Sequence, residues 1–175
     1  MNKDEKSKLT TENSPLCFGI QSNLPDGKHI FMLDYDGDDY SLLYKSIIDI
    51  QNTYKLSDFF ILKSANGYNA FTLDKLELDF IVSILSNYDI IDPQFIALAM
   101  HPNRGFFVLR MGQEKRYCSY IPSSFDLHEK SYAHYLFFKD IMKFPVTCFG
   151  EHDKNKQFQI IAYRSGKHGW GKIQL

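Results

Sequence analysis

Short apolar blocks separated by turn-forming residues run along the chain, and they predict a series of strands. The predicted strands before residue 112 lie at residues 16–20, 30–36, 59–63, 68–73 and 105–111. Residues 39–54 instead repeat apolar side chains at three- and four-residue spacing, which predicts an amphipathic helix with Asp38 or Asp39 as its N-cap. Residues 74–88 predict a second helix, with Asp74 as its N-cap.

The order of these elements indicates a fold class. From residue 28 to residue 111 it is strand, helix, strand, strand, helix, strand, the β-α-β-β-α-β order of ferredoxin-like and RRM-like folds. The later elements that we predict are a strand paired with the one at 105–111, a helix and two more strands, at residues 116–121, 128–142, 146–149 and 158–163. We therefore predict an α+β fold with a ferredoxin-like core and additional C-terminal strands and helix. Such a core is the palm of several nucleotide polymerases and also the RNA-binding sheet of recognition modules, so fold alone does not choose a function.

Composition narrows the class of protein. The chain has 175 residues, 44% of them hydrophobic, which is enough for one domain at residues 16–175 after a polar, disordered tail at residues 1–15. Its three cysteines (Cys17, Cys118 and Cys148) form no Cys-x-x-Cys pair, which disfavours a disulfide framework or a zinc site and indicates a reducing, cytoplasmic location. A net charge of −1 excludes a grossly basic nucleic-acid binder. No apolar run approaches the ~18 residues of a membrane span, so we expect no membrane partner.

Carboxylates are concentrated where the strand at residues 30–36 ends. Asp34 and Asp36 alternate with Tyr35, so they would point to one face of the strand about 6–7 Å apart at Cα. Two carboxylates that close repel each other unless a cation lies between them, and hard divalent ions such as Mg²⁺ take oxygen ligands of this kind. The pattern therefore indicates a metal site, and the alternative is a solvated acidic turn.

Three motifs stand in order between residues 28 and 111. The first is an apolar strand ending in Asp-x-Asp, at residues 33–36. The second is a Ser followed by Gly-Tyr-Asn on a hairpin, at residues 64–69, and the third is Asp92 followed by Arg110 on a later strand. Over this half of the chain the sequence resembles the archaeo-eukaryotic primase superfamily, which includes primase-polymerases of plasmids and viruses.

The resemblance implies a metal-dependent nucleotidyltransferase that makes primers or extends strands on a nucleic-acid template in plasmid or viral replication. It implies Mg²⁺ or Mn²⁺ as cofactor, nucleoside triphosphates as substrates, and a helicase or initiator protein as partner. The implied metal-binding and catalytic residues are Asp34, Asp36 and Asp92, and the implied nucleotide-binding residues are Lys63, Ser64, Asn69 and Arg110. Asn69 stands where the family has His, so neutralisation of phosphate would fall to Lys63 or Arg110. Arg110 has the alternative of a salt bridge to the acidic cluster.

Other interpretations stay open at this stage. The Asn69 substitution favours a catalytically degenerate, primase-like module that binds nucleic acid, for example as a replication initiator. The segments Asp34-x-Asp36-Gly37, Ser64 and 150–153 loosely resemble haloacid-dehalogenase phosphatases. That family, however, has a doubly wound parallel sheet, which fits poorly with the hairpin predicted at residues 59–73.

The C-terminal segment combines basic and aromatic side chains. Residues 163–172 interleave them with glycines, a combination that suits a nucleic-acid backbone and a stacked base. The predicted nucleic-acid contacts are Arg164, Lys167, His168 and Trp170. The alternative is a solvated terminus with no partner.

Overall fold

In the computed structural model the chain is an α+β protein with two antiparallel sheets and four helices among the residues that the structure describes. These are residues 16–64, 66–111, 116–136, 138, 160–166 and 169–174. The strands are β1 Leu16–Gln21, β2 His29–Tyr35, β3 Phe59–Lys63, β4 Tyr68–Leu76, β5 Val108–Met111, β6 Arg116–Ile121, β7 Ile160–Gly166 and β8 Gly169–Gln174. The helices are α1 Tyr40–Tyr54, α2 Leu78–Leu85, α3 Pro93–Met100 and α4 Tyr132–Leu136.

The sheet that carries the acidic motif has the strand order β2-β4-β3-β6, and each neighbouring pair is antiparallel. Strands β2 and β3 therefore run parallel to each other on either side of β4, and α1 connects them. The β3–β4 hairpin that the sequence predicts is confirmed, with Lys63 opposite Tyr68 and Leu62 opposite Asn69. This pairing brings the ends of β2 and β3 and the start of β4 to the same end of the sheet, which we call the acidic edge.

The other sheet has the order β5-β1-β7-β8. The predicted pairing of residues 105–111 with 116–121 is wrong, because β5 pairs with β1 while β6 pairs with β3. Ser22 extends the β1–β5 pairing by two further bonds to Phe107: its N–H donates to the Phe107 carbonyl, and its Oγ accepts from the Phe107 N–H. The last strand of the predicted β-α-β-β-α-β series thus lies beside β1 in this sheet.

The start of the second predicted helix is also wrong. Strand β4 continues to Leu76, and α2 begins at Leu78 with Glu77 as its N-cap residue, so Asp74 lies inside a strand. The Asp39 cap of α1 is confirmed, since its carboxylate accepts a hydrogen bond from the N–H of Leu42 at 3.0 Å.

Strands β2, β3 and β4 are buried on both faces, because consecutive residues along them are buried rather than alternate ones. Phe71 stacks on Phe60 and on Phe138, with ring centroids 5.2 and 3.7 Å apart, while Phe31 meets Phe59 edge to face at 5.5 Å. Each fully buried aromatic side chain stabilises the fold by about 1.5–3 kcal/mol. A rigid three-strand core therefore underlies the acidic edge.

Several predicted elements fall outside the described residues. These are the tail at residues 1–15, the strand at 146–149, and residues 137 and 139–142 of the helix predicted at 128–142. The predicted start of that helix is wrong, because α4 begins at Tyr132 and Lys130 forms a β-bridge with Asp74. Within the described part of the chain, no helix is long and apolar enough to cross a membrane.

Candidate functional site

Two of the sequence motifs meet directly across the β2–β4 pair. Asp34 is the cross-strand neighbour of Asn69, and the Asn69 carboxamide Nδ2 donates a hydrogen bond to Asp34 Oδ1 at 2.5 Å. Asn69 is buried, with 1% of its surface exposed, whereas Asp34 is half-buried. The first and second motifs therefore form one site, with a carboxylate at its surface and an amide beneath it.

The loops that follow β2 and β3 pack backbone against backbone. A Cβ atom added to Gly67 would lie 2.0 Å from the carbonyl oxygen of Tyr35, and one added to Gly37 would lie 2.4 Å from the Tyr35 ring. Within the hairpin turn, the N–H of Ser64 donates to the carbonyl of Gly67 at 2.9 Å. Only a glycine at position 67 allows this approach, so the loop that carries the exposed Asp36 and the loop that begins at Ser64 lie in contact.

A positive charge lies at the same end of the sheet, on the face opposite to Asp34 and Asn69, because Lys63 pairs with Tyr68 whereas Leu62 pairs with Asn69. Lys63 ends β3, and its Nζ lies 4.0 Å from the ring centroid of Tyr68, which is within the range of a cation–π interaction. The Tyr68 ring is 5.5 Å from the ring of Tyr40, whose hydroxyl hydrogen-bonds with Ser119 Oγ at 2.5 Å. Tyr68 and Tyr40 thus set the position of Lys63, a role that the sequence interpretation did not assign.

The third motif is not brought to this site. Asp92 is the N-cap of α3, and its carboxylate accepts a hydrogen bond from the N–H of Gln94 at 2.9 Å. Among the described residues there is no group of three or more His, Cys, Asp or Glu side chains that could hold a metal ion together. A three-carboxylate site with Asp34, Asp36 and Asp92 is therefore not formed there.

Two carboxylates still suit a hard cation. Mg²⁺ is commonly held by one or two protein carboxylates, with water and substrate phosphates completing its octahedron. Asp34 and Asp36 stand on one motif at the edge of the sheet, and Asp36 is exposed to solvent. This donor set fits Mg²⁺ or Mn²⁺ bound together with a phosphate-bearing ligand.

The remaining predicted site residues lie on the other sheet or outside the described residues. Arg110 lies on β5 opposite Gly19 of β1, and β5 also contacts β2. The β7–β8 hairpin carries Arg164 and Trp170, while Lys167 and His168 fall outside the described residues. Their contacts with nucleotide or nucleic acid stay predictions.

A buried histidine away from the acidic edge has a lowered pKa. His134 is buried, and its ring nitrogens lie 2.6 Å from Ser131 Oγ and 2.7 Å from the carbonyl oxygen of Gln21. Burial lowers the pKa of His134 to about 4, although the bond to Gln21 opposes the shift. The ring is therefore neutral at pH 7, with Nε2–H donating to Gln21, and its role is to hold α4 against the end of β1.

A second buried network surrounds Asp74. Its Oδ2 accepts from the Ser57 N–H and its Oδ1 from the Ser57 hydroxyl, both at 2.7 Å, and Lys130 Nζ lies 2.6 Å from Oδ1. Burial alone would lower the pKa of Lys130, but its hydrogen bonds to Asp74 and Asp126 outweigh burial and raise it. Asp74 is a structural carboxylate, paired within the fold.

Comparisons of this chain with protein-family models, with curated proteins and with solved structures found no match. The function proposed below is supported by the motifs and by the contacts that the fold makes between them. Signals for two of those contacts are present in the sequence. The Ser-x-x-Gly turn fixes the hairpin register that buries Asn69, and the glycines at 37 and 67 mark the close approach of the two loops.

Proposed function

We propose that this chain is a metal-dependent nucleotidyltransferase of the primase-polymerase type. The observation that carries the proposal is the contact of Asp34 with Asn69, since it joins two motifs that are 35 positions apart in the sequence. Lys63 and Ser64 follow on the same hairpin, at the same edge of the sheet. Carboxylates, a lysine and a hydroxyl at one edge are the groups that binding of a metal and a triphosphate requires.

The strand arrangement also supports a palm. In a ferredoxin-like sheet the first and second strands of the series run parallel, with the third between them. Strands β2, β3 and β4 have this arrangement, with α1 as the connection. The fourth strand of the series, β5, pairs with β1 instead, so the proposed palm is a three-strand core extended by β6.

The chemistry follows from charge neutralisation and positioning. Mg²⁺ or Mn²⁺ held by Asp34 and Asp36 would supply positive charge to the reacting phosphates. Lys63 lies at the same end of the sheet but pairs with Tyr68, on the face opposite to Asp34. A contact of Lys63 with phosphate therefore requires its long side chain to reach around the end of the strand. The Ser64 side chain, at the turn, would hydrogen-bond phosphate oxygens. Phosphoryl transfer depends mainly on charge neutralisation and positioning, so no covalent intermediate with the protein is required.

A second function is favoured by the position of Asp92. Because Asp92 caps α3 and no three-ligand group occurs among the described residues, a primase-like module that binds nucleic acid without catalysis is the second candidate. The phosphatase alternative requires a parallel doubly wound sheet, whereas both sheets of this chain are antiparallel. That topology argues against it.

The test is a template-directed assay with labelled nucleotides and Mn²⁺. We expect the Asp34→Ala/Asp36→Ala variant to lose at least about 100-fold in product, because even residues that only support metal ligands cost 10–100-fold. The matched control is Asp38→Ala/Asp89→Ala, which removes the same charge from two exposed acids. Oligonucleotide binding, measured by fluorescence anisotropy, is followed in parallel.

The outcomes separate the two candidates. Loss of product in the site variant alone supports the nucleotidyltransferase. Absence of product from the wild type, with oligonucleotide binding that the site variant leaves intact, overturns it in favour of the binding module.

A further inference from the structure

We infer that Asn69 is a positioning residue, whose buried carboxamide fixes the Asp34 carboxylate for binding of the divalent ion. The inference rests on the proposed function, because it assigns Asp34 as a metal ligand. It differs from the role implied by the family resemblance, in which this position contacts the phosphates of the nucleotide.

Strand register places the two side chains together. Asp34 and Asn69 are direct cross-strand partners, and the pairs on either side, Leu33 with Ala70 and Tyr35 with Tyr68, are in register with them. Direct partners in an antiparallel pair have Cβ atoms about 4.5–5.5 Å apart, within reach of two short polar side chains. The strand register therefore holds the two side chains within hydrogen-bonding reach of each other.

The two side chains of this contact differ in exposure. The amide is 1% exposed, while the carboxylate that it contacts is half-buried. A buried amide N–H must find an acceptor, and a hydrogen bond to an ionised acceptor is stronger than one between neutral groups. The amide thus lies beneath the carboxylate and holds Oδ1, which fixes the plane in which the carboxylate presents its oxygens.

The chemical type of the donor matters as well. A carboxamide is neutral, so it orients Asp34 without placing a positive charge beside the ion to be bound. A cationic donor at the same position would repel a divalent metal. Asn is in this respect a suitable residue for supporting a metal-binding carboxylate, in the way that outer hydrogen-bond partners support metal ligands generally.

The principal test measures Mn²⁺ affinity of the full chain by electron paramagnetic resonance, which needs no turnover. We expect Asn69→Leu, close in size but without a donor, to weaken Mn²⁺ binding about 10–100-fold. In an Asp34→Ala background the same substitution should cause no further loss. The matched control is Gln51→Leu, which removes a buried amide that bonds the carbonyls of Ser57 and Ile121 instead. It should keep wild-type Mn²⁺ affinity.

A second measurement uses the metal-free protein and does not require the Asn69 variant to fold. In nuclear magnetic resonance spectra, Asp34→Asn should shift the side-chain NH₂ signals of Asn69, whereas Asp36→Asn should leave them in place. Wild-type Mn²⁺ affinity in Asn69→Leu, or unchanged Asn69 signals in Asp34→Asn, overturns the inference. Failure of the wild type to bind Mn²⁺ both alone and with a nucleoside triphosphate overturns the metal-dependent function itself, while the metal-free spectra still report whether Asn69 holds Asp34.

Discussion

A carboxylate lies at each end of strand β4, and the two differ in their burial and in their hydrogen-bond partners. At the Asn69 end, a half-buried Asp34 receives a hydrogen bond from a neutral amide. At the other end, Asp74 is 0% exposed, accepts two hydrogen bonds from Ser57 and forms an ion pair with Lys130. The second carboxylate is neutralised by a cation of the chain, as a structural carboxylate must be when it leaves water.

This difference in hydrogen-bond partners distinguishes structural from functional carboxylates in this fold. Around Asp74, residues 128–131 run along β4 and add backbone bonds, from the Lys75 N–H to Glu129 and from the Ser131 N–H to Leu73. The polar groups there hold the chain together. At the Asn69 end two loops meet at Gly67 instead, Asp34 is half-buried and Asp36 is exposed. Substitutions at the Asp74 end should affect stability, and those at the Asn69 end should affect binding.

The largest expected effect on stability is at Asp74. Asp74→Ala should lower the free energy of unfolding by about 3–5 kcal/mol, because it removes the buried acceptor of the Ser57 N–H and leaves Lys130, among the described residues, with only the exposed Asp126 and the His128 carbonyl. Asp34→Ala removes an acceptor of the buried Asn69 amide and should cost less, about 1–3 kcal/mol. Urea unfolding followed by circular dichroism measures both.

The control for Asp74 is an exposed ion pair. Glu77→Ala breaks the contact of Glu77 with Lys28, both of which are largely accessible, and should cost less than about 1 kcal/mol. Equal losses of unfolding free energy for Asp74→Ala and Glu77→Ala would show that the buried network stabilises the fold no more than an exposed ion pair does. The comparison of the two ends of β4 would then not hold.

The next effect is a dependence of stability on pH at the same structural end. The folded-state pKa of His134 is about 4 because of burial, while the unfolded value is near 6.5. The unfolded chain therefore binds the extra proton between these values, and stability should fall as pH drops from 6.5 to 4. The full contribution is about 3 kcal/mol, and burial of His29, whose pKa is also lowered, acts in the same direction.

Chemical denaturation at intervals from pH 7 to pH 4 measures this slope. His134→Gln should flatten it, whatever the variant does to stability at pH 7. His101→Gln, at an exposed histidine, should leave the slope unchanged. A wild-type slope in His134→Gln would mean that His134 titrates alike in the folded and unfolded chain.

A smaller effect is expected where the two motif loops meet. Gly67→Ala places a Cβ 2.0 Å from the Tyr35 carbonyl oxygen, so the loops must separate, at a cost of about 1–3 kcal/mol. Mn²⁺ affinity should fall with it, because Asp36 follows Tyr35 directly. Thermal unfolding and Mn²⁺ titration are the measurements, and Asn66→Ala, at the exposed neighbouring position, is the control. Equal behaviour of the two variants would refute the close packing of the loops.

Local sequence was sufficient for part of this arrangement. The bounds of β3, the Asp39 cap of α1 and the hairpin register all follow from residues within a few positions of one another. The contact of Asp34 with Asn69 does not, because it needs the β2–β4 pairing in addition.

The extension of β4 could not be predicted for the same reason. A local pattern makes Asp74 a helix cap, but its charge is satisfied by Lys130, 56 positions away along the chain. The pairing of β5 with β1 likewise joins strands about 90 residues apart, which turn signals cannot report.

The smallest expected effect decides whether Asp92 belongs to the structural or the functional acids. As the cap of α3, Asp92→Ala should cost about 1 kcal/mol, close to the cost of Asp39→Ala at the cap of α1. Mn²⁺ affinity should be unchanged in the Asp92 variant, since its carboxylate hydrogen-bonds the helix N-terminus. Thermal unfolding and Mn²⁺ titration of the two variants side by side provide the measurement. A tenfold weaker affinity in Asp92→Ala alone would instead make it a metal ligand, since Asp39→Ala also removes a helix cap and is expected to keep the affinity.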